Sequence, residues 1–131
     1  MLLSKAKHKE VAVDRHDEAG IPRPGSPVRG STTGRAPMAA LDLLGRRWIL
    51  RLIWELSREP AGFRALQRRC DDMSSSVLNN RLRELVDARI AAQDPTGRYT
   101  LTPTGTRLVA ALAPLLEWSA EWADELDPDR G

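Results

Sequence analysis

The chain has 131 residues, enough for one small domain and too few for a TIM barrel or a typical two-domain enzyme. Hydrophobic residues make up 41% and charged residues 29%, and no apolar run reaches the roughly 18 residues a membrane span needs. The net charge of +2 identifies no partner, but its distribution is uneven. Residues 1–36 carry +3, residues 46–89 carry +4 and residues 90–131 carry −4. A basic middle followed by an acidic end implies two faces with different partners. No secretory h-region follows Met1, and the one cysteine, Cys70, fits a reducing compartment, so a cytoplasmic location is expected.

Residues 1–36 read as a disordered tail. Ile21-Pro22-Arg23-Pro24-Gly25-Ser26-Pro27 and Gly30-Ser31-Thr32-Thr33-Gly34 are dense in helix and strand breakers. A transient helix fits 5–18, and the functional alternative for the tail is an arm along DNA phosphates. A folded domain is expected over 37–126, with 127–131 disordered. Met38, Leu41, Leu43 and Leu44 predict a short helix ended by Gly45. Trp48, Ile49, Leu52, Ile53 and Leu56 predict a second over 47–58, stopped by Pro60. Phe63, Leu66 and Cys70 give a third, then Asp71-Asp72-Met73 turns the chain. Ser74 is an N-cap for a fourth helix running to about residue 89. Two strands, 90–93 and 98–101, flank the type I turn Asp94-Pro95-Thr96-Gly97. Thr102-Pro103 opens a last helix to about residue 126, which Pro114 should kink.

Two short helices joined by a tight turn, with a hairpin after the second, make a winged helix-turn-helix. The fourth helix carries the functional argument. Val77, Leu78, Leu82 and Leu85 share one face. Ser76, Asn79, Asn80 and Arg83 form a stripe on the other. Asn pairs bidentately with adenine, Arg with guanine and Ser with either, so the stripe suits base edges. A merely solvated face would more often mix Glu and Lys. Arg64, Arg68 and Arg69 lie near the helix that crosses the DNA backbone in such folds, with plain solvation the alternative. Arg81 sits between the two faces and suits an ion pair or a phosphate anchor. Arg98 is the wing's cation.

At these residues the chain resembles a known family. Ala40-Leu41-Asp42-Leu43-Leu44-Gly45-Arg46-Arg47-Trp48 resembles the "ALD-hydrophobic pair-GGKW" signature of the HxlR-type winged helix regulators. Phe63-Arg64-Ala65-Leu66-Gln67-Arg68 resembles "FNELQR", and Ser74 through Leu85 resembles "SPKVLTQRLREL". Tyr99-Thr100-Leu101-Thr102-Pro103-Thr104-Gly105 resembles "YSLTPLG", and Trp118 falls where the family has a tryptophan. The resemblance implies an α+β, mainly α fold with a hairpin wing and dimerisation helices at both ends. It implies a transcription regulator, more often a repressor, that binds double-stranded DNA at an inverted repeat as a homodimer. Ser74, Ser75, Ser76, Asn79, Asn80, Arg81, Arg83, Arg64 and Arg98 are then the DNA-binding candidates. Met38 and Leu41 on the first helix, with Leu115, Trp118 and Trp122 on the last, are the dimer candidates. Leu115, Leu116, Trp118 and Trp122 agree independently, as more apolar surface than one small domain can cover; ordinary core packing is the other reading of the tryptophans.

Three departures qualify the match. Arg35-Ala36-Pro37 lacks the family's cysteine, the wing is shorter, and Ser76 replaces a common lysine. Cys70 falls where the family has a core leucine, and the resemblance implies a buried thiol rather than a reactive one. Trp48 reads as core, whereas Trp54 is offset from that stripe and suits an interface or a ligand pocket. His8 and His16 form no metal site with Cys70, no nucleophile has a histidine in the folded region, and no phosphate loop occurs. The expectation is a protein without enzymatic activity, metal or cofactor, and no effector is named by the residues. The competing readings are a winged helix used for protein contact, a MarR-like ligand-responsive regulator, and a non-specific nucleic-acid binder. The net −1 over 37–131 disfavours the last.

Overall fold

The computed structural model describes residues 20–129. The readings made for 5–18 and for His8 and His16 lie outside the described residues. The elements are α1 (Ala36–Leu44), α2 (Ile49–Arg58), α3 (Phe63–Arg69), α4 (Ser75–Asp87), β1 (Ala91–Gln93), β2 (Tyr99–Leu101) and α5 (Pro103–Leu126). The architecture is the expected winged helix: mainly helical, with one antiparallel hairpin.

The core forms where the apolar faces of α2, α3 and α4 meet. Ile49, Leu52 and Ile53 of α2, Leu66 of α3, and Leu78, Leu82 and Leu85 of α4 are all fully buried there. Cys70, just beyond α3, fills the same core. The hairpin closes one side, with Ala91 paired to Leu101 and Gln93 to Tyr99. It is tied further by a bridge to the α2–α3 connection. Ala61 N–H donates to the Tyr99 carbonyl at 3.1 Å, and Tyr99 N–H returns a bond to Ala61 at 2.8 Å.

Local chemistry sets the element ends. The Thr102 hydroxyl accepts from Gly105 N–H at 3.0 Å and donates to the Arg89 carbonyl at 2.6 Å, which caps α5 and anchors it to the end of α4. Gly105 is required because a Cβ there would overlap the Ile90 carbonyl oxygen. α5 continues through Pro114 for 24 residues, about 36 Å at the usual rise.

Two sequence expectations are corrected. Helix α2 starts at Ile49, not at 47, because Trp48 is in the left-handed conformation with φ of 75°. There the indole still packs against the core, with the Arg47 guanidinium 5.8 Å from its ring centre.

The second correction concerns 20–35, read as part of a disordered tail. These residues fold back on α1. Gly25 N–H donates to the Gly34 carbonyl at 2.8 Å, and Val28 and Ser31 exchange bonds of 2.9 and 3.0 Å. Val28 is only 6% exposed, and Ile21 packs against the core. Arg29 N–H donates to the buried Asp42 carboxylate on α1 at 3.1 Å. The breakers here encode turns. Gly34 has φ of 72°, and the Ser26 backbone occupies the space its Cβ would need.

Val28→Ala should therefore cost roughly 1–2 kcal/mol in a urea melt, as expected for losing two buried methyl groups. An unchanged midpoint would mean that this segment contributes no packing.

Candidate nucleic-acid interface

Helix α4 presents itself through a turn that its neighbours fix. Asp71 and Asp72 both take left-handed backbone, with φ of 57° and 55°, which reverses the chain after α3. Ser74 then caps α4, its hydroxyl accepting from Val77 N–H at 3.2 Å. Gln67 of α3 donates through one amide nitrogen to the Met73 carbonyl at 2.9 Å and to the Ser75 hydroxyl at 3.0 Å. This staple sets the angle between the two helices, and periodicity gave it no role. Only a polar residue in the last turn of α3 could have hinted at it.

With Leu78, Leu82 and Leu85 inside, Ser76, Asn79, Asn80 and Arg83 all lie exposed on the opposite side. The Arg83 guanidinium donates to Asn80 Oδ1 at 3.2 Å, so two groups of the stripe are held side by side. Arg64 and Arg68 are exposed on α3. Ser74 caps α4 and Ser75 is its first residue, held by the Gln67 staple.

Two arginines from the sequence reading have other work. Arg81 is half-buried and donates to Glu84 Oε1 at 2.7 Å, its ion-pair alternative rather than a place in the stripe. Arg69 pairs with Glu59 at 2.7 Å, and its carbonyl accepts from Arg51. Glu84 also takes Arg46 at 2.6 Å, with only 4% of the Arg46 side chain and 10% of the Glu84 side chain exposed. That pair, 38 residues apart in sequence, was not anticipated.

The wing is short and self-contained. Asp94 Oδ1 accepts from the Thr96 hydroxyl at 2.6 Å, from Thr96 N–H at 2.9 Å and from Arg98 N–H at 3.0 Å. Its other oxygen lies 3.5 Å from the Arg98 guanidinium. The Thr96 hydroxyl, ahead of the two backbone amides, holds this carboxyl below its usual range. Because the shift is downward, its contribution to the turn is present above the ordinary value of about 3.9 and is lost only as pH falls through the lower folded value.

A second, apolar surface lies along α5. On it Trp118 is 52% exposed, Trp122 49%, and Leu115 is also half exposed, while Leu41 on α1 is 61% exposed. The two indoles stack with centroids 5.4 Å apart and planes within 10°. This excludes ordinary core packing for them within one chain. Trp54 lines an apolar groove of about 270 Å³ with Leu50, Leu112, Leu115 and Leu116. Met38, the other dimer candidate on α1, is half-buried within the chain, with its methyl group where a Cβ on Gly30 would stand. The folded-back segment covers it. Cys70 is fully buried, as expected, and burial pushes its thiol pKa up.

A helix-turn-helix with a hairpin wing and an exposed polar stripe defines a DNA-binding regulator. Residues 43–127 match the HxlR-like helix-turn-helix family, and the chain belongs to it. It is 29% identical over 91 residues to the HTH-type transcriptional regulator YvaP of Bacillus subtilis, covering 65% of this chain and 84% of YvaP. The crystal structure of quinone-bound YodB from B. subtilis is similar at 32% identity, covering 66% of this chain and 92% of that one, with a TM-score of 0.56. A structure described as a MarR family regulator from Enterococcus faecalis shares 30% identity over 66% of this chain and 84% of its own, with a TM-score of 0.60. This protein is a winged helix-turn-helix transcriptional regulator that binds DNA.

The Asp94–Arg98 pair sets the charge that the wing would offer to a phosphate. Asp94→Asn keeps the turn's acceptor and removes its charge, which releases Arg98 toward phosphate. Affinity for all DNA sequences should rise together, and the salt slope should steepen by about one unit. Gel shifts over a salt series check this, and unchanged binding would mean Arg98 reaches no phosphate.

Proposed function

We propose that this regulator acts in the cytoplasm as a homodimeric repressor, binding double-stranded DNA at an inverted repeat and blocking polymerase. The half-exposed Trp118–Trp122 stack carries the reading. So much aromatic surface at the end of a long helix favours burial against a second copy. Leu115 lies on the same helix, and Leu41 adds exposed apolar surface on α1. The acidic Glu117, Glu121, Asp124 and Glu125 share α5 with it, on a different element from the α4 stripe.

In this reading each α4 enters one major groove. Asn79 and Asn80 suit adenine, Arg83 suits guanine, and Ser76 takes either. Arg64 holds phosphate from α3. Two-fold symmetry puts the half-sites about 10 bp apart, or a multiple of that. The protein acts by binding, without a catalysed reaction or a cofactor. The lone thiol, Cys70, is inaccessible and poorly ionised, so oxidant sensing through it is not the signal.

Sedimentation at micromolar concentration should give a species near twice 14.6 kDa. Trp118→Asp should shift it toward monomer and weaken DNA binding, and a strict monomer of the parent chain would overturn the dimer. On a selected operator, Arg83→Ala should cost about 1–3 kcal/mol and narrow the preference over random DNA. Arg64→Ala should weaken both sequences alike and reduce the salt slope by about one unit. Diamide or peroxide should leave operator binding intact.

A further inference from the structure

We infer that Arg46 and Glu84 are positioning residues for base reading: their buried ion pair fixes the rotation of α4 about its own axis. The inference rests on the reading of α4 as the element that enters the major groove. Its starting point is a mismatch between what the core determines and what base reading demands.

The leucines of α4 determine depth. Leu78, Leu82 and Leu85 press into the core, but apolar burial is non-directional, and repacking tolerates small rotations. Base recognition does not. A bidentate amide or guanidinium contact needs its donors and acceptors aligned with one base edge. Something directional must set the roll, and Glu84 is placed to do so. At about 100° per residue it lies roughly 40° around the helix from Asn80 and 100° from Arg83, at the border of the stripe.

Both Glu84 oxygens are engaged. Oε2 takes Arg46 Nη1 at 2.6 Å and Oε1 takes Arg81 Nη1 at 2.7 Å. Charge-assisted bonds of this length are strong and directional. Rolling α4 by a few tens of degrees would swing the carboxylate off Arg46. Arg81 travels with α4 and cannot resist that roll, so the fixed reference is Arg46.

The anchor itself is rigid. Arg46 lies in the α1–α2 connection, where its N–H donates to the Leu43 carbonyl at 3.1 Å and its carbonyl accepts from Ile49 N–H at 3.2 Å. Trp48 follows in left-handed backbone with its indole packed on the core. The tie thus references α4 to the junction of α1 and α2. Arg81 steadies the carboxylate from its own helix, and the pair aims the stripe without touching DNA.

The test selects an operator with the parent chain from a random pool, then measures the ratio of operator to scrambled-DNA affinity at fixed salt. Glu84→Gln and Arg46→Met should each compress that ratio by about tenfold, the equivalent of losing one good base contact. Reselection should show preference relaxed at every base pair read by Asn79, Asn80 and Arg83 together, whereas Asn80→Ala relaxes one. Ile53→Val, a core truncation outside α4, should lower the melting temperature and leave the ratio alone.

If the single variants do not fold, the double variant Arg46→Met/Glu84→Met is measured instead, because replacing both partners by apolar groups avoids a lone buried charge. A parental ratio in the folded variants overturns the inference, as does a uniform rise in all affinities, which would make Glu84 only a nearby negative charge. A parent chain that enriches no sequence overturns the DNA reading of α4 and this inference with it.

Discussion

The seat of α4 in the core is the constraint on which the rest of the structure depends. A 13-residue helix with four polar groups on one side is not stable alone in water. Burying Leu78, Leu82 and Leu85 stabilises it by about 1.5–3 kcal/mol each, against the apolar faces of α2 and α3. That burial is what leaves Ser76, Asn79, Asn80 and Arg83 facing outward. The Ser74 cap and the Gln67 staple hold the first turn of α4, from which the stripe begins.

Charge is distributed unevenly over the two exposed surfaces. The arginines of α3 and α4 either stay exposed, as Arg64, Arg68 and Arg83 do, or are paired, as Arg69 and Arg81 are. Most carboxylates beyond the hairpin lie on α5, beside the half-exposed tryptophans. Asp94 lies apart from these, within the hairpin. It sits at the wing, and its bonds to Thr96 and Arg98 make that tip electrically compact. A short wing organised around its own aspartate differs from one that extends a free cation toward a minor groove.

The N-terminal segment shows how little composition says about packing. Residues 20–35 have the breaker content of a tail, yet Val28 and Ile21 supply two apolar anchors and the Arg29 backbone reaches Asp42. The prolines at 22, 24 and 27 fix φ in advance and lower the entropy lost on ordering, while the glycines supply positive φ at the turns. The consequence is local but real: Met38 is covered, and the exposed apolar surface of α1 is left to Leu41.

The sequence by itself determined what depends on neighbours in the chain. Apolar spacing predicted the five helices of the described residues, and Ser74, Thr102 and Gly45 marked ends where the structure has caps. Asp94 to Gly97 specified the hairpin turn, and spacings of three and four placed Ser76, Asn79, Asn80 and Arg83 on one face. Periodicity also made Trp54 an outlying residue, and the family resemblance put Cys70 at a core position. Tertiary structure alone decided which distant groups meet. Arg46 finds Glu84, Arg29 reaches Asp42, and Ala61 bridges to Tyr99. Trp48 gives up a helical conformation to pack its indole. Each of these is settled by which faces are already buried when the helices close. A charged residue read in its local window looks solvated, and only the assembled core reveals that its water has been removed and its partner supplied.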